Sequence, residues 1–146
     1  MEGPTKPQQK ELSMAAVDEV FDLLKAAGVW YLATVDGDQP RVRPFGAQNV
    51  YDGKLYIQTG LVKDVAKQLQ ANGKFEISGM IKGEWFRING ELVYDPADEP
   101  TAAMLDANPS LKRMYAVGDG NTAVFYIKDG VCTVYSFTAA PRVIEF

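Results

Sequence analysis

VWYLATVDGDQPRVRPFGAQNVYDGKLYIQTG (Val29–Gly60) holds three strand-like segments separated by two Asp-Gly steps. VWYLATV (Val29–Val35) is a continuous run of β-branched, aromatic and aliphatic residues, which predicts a buried strand. Asp36-Gly37 follows as a turn, because Asp-Gly supplies the positive-φ backbone that tight hairpins need. RVRPFGA (Arg41–Ala47) returns as a second strand, with Arg41 and Arg43 on one face and Val42 on the other. Asp52-Gly53 then turns the chain into KLYIQTG (Lys54–Gly60). Consecutive tight turns dictate antiparallel pairing, so the fold is mainly β.

Downstream, Val62, Val65, Ala66 and Leu69 form the apolar stripe of a helix over Val62–Asn72, stopped by Gly73. KFEISGM (Lys74–Met80) alternates Phe75 and Ile77 inward with Glu76 and Ser78 outward. Lys82-Gly83 separates it from another alternating strand, EWFRINGELVY (Glu84–Tyr94). The proline-bearing stretch Asp95–Tyr115 predicts short helices at Thr101–Ala107 and Ser110–Tyr115, and AVGDGN (Ala116–Asn121) reads as a loop. TAVFYI (Thr122–Ile127) and VCTVYSF (Val131–Phe137), on either side of Lys128-Asp129-Gly130, predict a closing hairpin; the tail TAAPRVIEF adds an edge strand. Upstream, residues 1–12 read as a flexible arm. Ser13 is the expected N-cap of a helix carrying Val17, Val20, Phe21 and Leu24 on one face and ended by Gly28. The expectation is one domain over residues 13–146, a six-stranded antiparallel barrel with short flanking helices.

Composition narrows the function. A chain of 146 residues suits a single core, and a net charge of −4 without any basic block argues against a nucleic-acid partner. No apolar run approaches the ~18 residues that cross a bilayer. The polar start MEGPTKPQQKELSM has no signal-peptide core, and Cys132 has no second cysteine to pair with. A cytoplasmic location is therefore expected. The chain contains no histidine. That removes Ser-His-Asp and Cys-His catalysis, histidine-held haem and nearly all zinc sites, so no metal centre is expected. Chemistry beyond carboxylate, lysine or tyrosine acid–base work must come with a cofactor.

The chemistry concentrates between Arg41 and Lys63. Gln58, Thr59 and Gly60 stand where a strand feeds a helix, with Lys63 in its first turn. A helix N-terminus attracts anions, and a lysine there opposes the helix dipole unless an anion is bound. Thr59 can donate its hydroxyl to a phosphate, and Arg41 or Arg43 can reach across from the neighbouring strand. The plain structural alternative makes Thr59 an N-cap and leaves the cations solvated. Pro44, followed by Phe45, removes a ladder donor inside a strand, which implies an edge, a bulge or a ligand-facing position.

The ordered set Y-L-A-T-V, D-G-D-Q-P-R-V-R-P-F, D-G-K-L-Y-I-Q-T, K-D-V-A-K-Q-L-Q-A-N, F-E-I and W-F-R-I-N-G-E resembles the pyridoxamine 5′-phosphate oxidase-like split-barrel flavoproteins. It is most similar to the small bacterial branch grouped with nitroimidazole-resistance proteins and general-stress flavin binders. The resemblance covers roughly Val29–Tyr94, with Thr122–Phe137 in the expected place. It implies a six-stranded split β-barrel that dimerises, with FMN at the interface. The strand Arg41, Val42, Arg43, Pro44, Phe45 would run along the flavin ring and phosphate. Gln58 adjoins Thr59, which would meet the phosphate, and Lys63 falls in the phosphate-binding stretch. Trp85 matches a position that commonly touches the flavin. The departures also inform: Gly46 stands where the oxidases carry a lysine, and their C-terminal arginine and histidine have no counterpart. Oxidation of pyridoxamine phosphate itself is therefore not implied.

The resulting expectation is an FMN-binding oxidoreductase, passing electrons from a reduced nicotinamide or carrier to a small acceptor. The alternatives are a flavin-storage protein, a deazaflavin-using relative, and a barrel without ligand that serves as an interaction module. Around this centre, Asn121 is a candidate to reach the cofactor from the partner subunit, and Tyr115 is either a proton donor or a packing residue. Arg87 is expected to pair with Glu91, and Cys132 to be inert core. Trp85, Phe86, Phe125 and Tyr135 are the aromatic set expected at a dimer interface.

Overall fold

Alternation, rather than continuous burial, governs the first strand: Trp30, Leu32 and Thr34 point inward while Tyr31 is exposed. The computed structural model describes residues 2–146. Its elements are α1 (Lys6–Ala27), β1 (Trp30–Asp36), β2 (Gln39–Phe45), β3 (Gln48–Tyr51), β4 (Lys54–Gly60), α2 (Asp64–Ala71), β5 (Lys74–Ile81), β6 (Glu84–Asp95), α3 (Asp98–Ala107), a 3₁₀ turn (Pro109–Arg113), β7 (Thr122–Ser136) and β8 (Arg142–Glu145).

The strands form one antiparallel sheet in the order β2-β1-β5-β6-β7-β4-β3, with β8 on the far half of β7. The sheet curls without closing. Its two edges, β2 and β3, are consecutive in the chain and joined only by Gly46-Ala47. Across this seam the buried Trp30 indole of β1 donates to Gln48 Oε1 of β3 at 2.8 Å. Leu32, Ile57, Ile77, Phe86, Ile88 and Phe125, drawn from both arms of the sheet, share a single core. One end of that core takes Val17, Val20 and Leu24 of α1, and another takes Val65, Ala66 and Leu69 of α2.

The mainly β antiparallel class is as expected, but eight strands replace six. Gln48–Tyr51, too short to show a period, is β3. The closing hairpin is instead one continuous strand, β7. Lys128-Asp129-Gly130 forms a bulge in it, because both flanks pair with β6: Asn89 faces Val131 and Glu91 faces Lys128. Gly90 accommodates the bulge at φ 150°, where a Cβ would stand 2.8 Å from the Lys128 carbonyl. The N-terminal helix starts at Lys6, well before Ser13. Thr5 caps it by accepting from the Gln8 amide while the Gln8 side chain returns to the Thr5 amide. Most of the arm expected over residues 1–12 is thus helical, and Met1 lies outside the described residues. Among the described residues no helix is long and apolar enough to cross a membrane.

Candidate functional site

The seam between the sheet's two edges opens into a cleft of about 420 Å³. One wall is the end of β2 with its connection, Arg43 to Ala47; the floor is Gln58 and Thr59 of β4. Because β2 has a neighbour on one side only, Pro44 costs it no ladder bond. The phenyl ring of Phe45 is stacked on Trp30 at 5.4 Å. The opposite wall comes from the segment after α3: Asn108, Ser110, Leu111, Met114 and Tyr115. No carboxylate lines this cleft, whereas Arg43 and Lys63 do.

Arg43 is held in place from behind. Its guanidinium donates to Thr34 Oγ1 at 2.7 Å, to the Leu32 carbonyl at 3.2 Å and to Gln68 Oε1 at 2.8 Å, which ties β2 to β1 and α2. Burial lowers its proton affinity first and Arg41 adds to that, while Asp64 opposes. A guanidinium stays charged under such pressure. Lys63 forms no ion pair among the described residues.

Thr59 is the exception in a well-paired interior. Its side chain is buried on β4, and Oγ1 has no hydrogen-bond partner among the described residues. It is therefore not the cap of α2. Helix α2 begins at Asp64, after a turn in which the Lys63 amide donates to the Gly60 carbonyl at 3.0 Å. Lys63 occupies the cap position itself, with no side-chain capping bond. The Asp64 and Val65 amides open the first turn without a partner among the described residues.

Of the residues singled out in the sequence, the structure gathers Arg43, Pro44, Phe45, Gln58, Thr59 and Lys63 around the cleft. Arg41 and Val42 line an adjoining groove that shares Arg43, Lys63 and Val65 with it and also holds Asp36, Asp64 and Gln68. Arg41 is paired there with Asp36 at 3.2 Å. Trp85 and Asn121 do not line the cleft of their own chain. Trp85 stacks on Tyr135 on the outer sheet face, at 5.7 Å. Arg87 lies over the Tyr135 ring at 5.3 Å, instead of pairing with Glu91. Cys132 is core, its thiol pushed up to about 12 by burial. Sequence reasoning missed the wall from Asn108 to Met114. Its only local signal was a proline-punctuated stretch with scattered apolar residues, and its position depends on α3 packing Met104 against Tyr56 and Val124.

Residues 16–128 match the family model described as pyridoxamine 5′-phosphate oxidase. The chain belongs to the pyridoxamine 5′-phosphate oxidase family. Within this family it is similar to a NimC/NimA family protein from Clostridium acetobutylicum, with 44% identity, a TM-score of 0.91, and coverage of 94% of this chain and 97% of that one. General Stress Protein 26 from Bacillus anthracis shares the fold at 18% identity and a TM-score of 0.66, over 94% of this chain and 98% of the other. A heme binding protein from Mycobacterium smegmatis shares it at 13% identity and a TM-score of 0.61, over 99% of this chain and 60% of the other. No curated protein matches the chain.

Proposed function

We propose that this family member is a cytoplasmic FMN-binding oxidoreductase that works as a homodimer, passing electrons from a reduced nicotinamide or carrier to a small acceptor. The observation that carries the reading is the unpartnered buried hydroxyl of Thr59 in a cleft that also receives Lys63. An orphaned buried hydroxyl costs ~1–3 kcal/mol, and a phosphate oxygen would satisfy it. The unpaired amides of Asp64 and Val65, the Lys63 ammonium and the Arg43 guanidinium supply further donors suited to an anion. The apolar strip Pro44-Phe45 and the backbone at Gly46 suit a flat ring, and about 420 Å³ is within the range of cofactor clefts. Bound FMN would supply the redox chemistry that these side chains lack. The chain has no histidine to hold a haem iron.

Titration of flavin fluorescence tests the assignment. Lys63→Ala is expected to weaken FMN about 10- to 100-fold, the loss of one or more charge-assisted bonds. Apo-protein stability should hold or rise slightly, because Lys63 opposes the α2 dipole when no anion is present. Riboflavin, which lacks the phosphate, should be unaffected. Equal losses for both ligands, or none for either, place the phosphate elsewhere.

The dimer reading rests on the outer sheet face, where Met80, Trp85 and Tyr135 are register neighbours on β5, β6 and β7. Phe137 packs on Trp85 at 5.0 Å, yet it is 87% exposed, and Met80 is 73% exposed. Phe86 and Phe125, expected in this set, are instead buried in the chain's own core. A stable dimer covering this face would bury more than ~1,000 Å². Light scattering should return twice the chain mass at micromolar concentration, and Phe137→Glu should return a monomer. A monomeric wild type removes the dimer.

A further inference from the structure

The loop Ala116–Asn121 stands outside the cleft, yet it holds the turn that delivers Lys63. Asp119 organises the loop. Its Oδ1 accepts from the amides of Asn121 at 2.8 Å and Thr122 at 2.7 Å, and its Oδ2 from the Thr122 hydroxyl at 2.7 Å and the Ala116 amide at 3.1 Å. Asn121, placed by these bonds, takes both central amides of the Gly60–Lys63 turn. Its carbonyl accepts from Leu61 at 2.7 Å, and its Oδ1 accepts from Val62 at 3.1 Å. The fit is close, because a Cβ on Gly60 would stand 3.0 Å from Asn121 Nδ2.

The clamped turn lies directly ahead of α2. The sequence pattern places Val62 in the helix, but Val62 is exposed, its amide and that of Leu61 are taken by Asn121, and the helix begins at Asp64. The amides of Asp64 and Val65 are then the free ones, beside Lys63. We infer that Asn121, set by Asp119, is a positioning residue for the anion-binding turn, fixing where Lys63 and these two amides stand without itself touching the ligand. The inference rests on the FMN reading above and assigns this loop a share in selecting ligands that carry a phosphate.

The test uses the full-length protein with FMN and riboflavin as probes. Asn121→Ala should weaken FMN about 3- to 10-fold, as for the loss of one hydrogen bond, and leave riboflavin unchanged. In a Lys63→Ala background the same change should add less than about twofold, because residues acting through one turn are not additive. Gly60→Ala keeps Asn121 but pushes its amide aside, and should reproduce the FMN-selective loss if Asn121→Ala folds poorly. Equal losses for both flavins would mean general loosening or direct contact with the ring. That result, full additivity with Lys63→Ala, or no effect would each overturn the inference. Where Lys63→Ala discriminates FMN from riboflavin and the Asn121 and Gly60 variants do not, only this inference falls. Where Lys63→Ala does not discriminate, the phosphate lies elsewhere and this inference falls with the site assignment.

Discussion

Thr34 on β1 and Thr59 on β4 are 2% and 3% exposed, yet the fold treats them oppositely. Thr34 sits in a completed corner: its hydroxyl donates to Gln68 Oε1 at 2.5 Å and accepts from Arg43 at 2.7 Å. Thr59 faces the cleft with nothing to bond. The same completeness recurs elsewhere, in the Trp30–Gln48 bond and in the bond from the Tyr56 hydroxyl to Asp95 at 2.7 Å. Burial and then Asp95 raise the Tyr56 proton affinity, so its hydroxyl remains a donor throughout the physiological range. Among the described residues, Thr59 Oγ1 is the buried side-chain oxygen left without a partner, and Thr59 lines the cleft that Arg43 and Lys63 also line.

Arg43 belongs to both regions, and its removal gives the largest expected effect. Arg43→Ala deletes the bonds to Leu32, Thr34 and Gln68 and also takes a cation from the cleft. Urea unfolding of the apo-protein should show a loss of about 2 kcal/mol, and FMN should bind at least about tenfold more weakly. Arg43→Lys keeps the charge but not the planar fork, and should recover only part of the stability. An apo-protein unaffected by either change would dissolve the distinction between the two regions.

The two threonines sharpen it. Thr34→Val should destabilise the apo-protein by about 1–2 kcal/mol while leaving FMN affinity nearly intact. Thr59→Val should do the reverse. Replacing an orphaned hydroxyl with a methyl group should raise apo stability by about 1 kcal/mol and weaken FMN about 3- to 10-fold. Denaturant midpoints and flavin titrations on the same four samples, apo and loaded, read both halves. If the two substitutions move stability in the same direction, Thr59 has an internal role and the contrast fails.

The smallest effect concerns pH. The amide and hydroxyl of Thr122, then the Asn121 amide and finally that of Ala116, hold the Asp119 carboxyl well below the usual carboxylate range. A carboxylate with a lowered folded value stabilises the fold at any pH above its unfolded value, near ~3.9. That contribution shrinks as pH falls from there towards the folded value. The stability gap between wild type and Asp119→Asn should therefore be constant from pH 7 down to about 4.5 and narrow below about pH 4. Amide exchange at Asn121 and Thr122 should track it. A gap that widens on acidification would show that Asp119 is not the loop's acceptor.

Legibility in the sequence ended where interactions became non-local. Asp52-Gly53 and Lys82-Gly83 were read correctly as turns because a two-residue hairpin is decided by its own backbone preferences. Lys128-Asp129-Gly130 carries the same chemistry, including φ 54° at Asp129, and became a bulge. The choice lay with β6, which pairs with both flanks and allows no reversal. Val29–Val35 was read as wholly buried, since a run of apolar residues does not reveal that Tyr31 stays exposed on the outer face.

The site divides in the same way. Residue types and spacing by themselves marked Arg41 to Phe45, Gln58, Thr59 and Lys63 as candidates, because a strand entering a helix with a lysine at the joint has local electrostatics that favour an anion. Only the tertiary structure decided that Thr59 would be left unpaired and that Arg43 would be braced by Thr34 and Gln68. Only it brought Asn121 to the Gly60–Lys63 turn and Asn108 to Tyr115 across the cleft. Hydrogen-bond satisfaction is a property of neighbours. Val62 and Asn121, bonded at 3.1 Å, lie 59 positions apart in the chain, so no window on the sequence contains both.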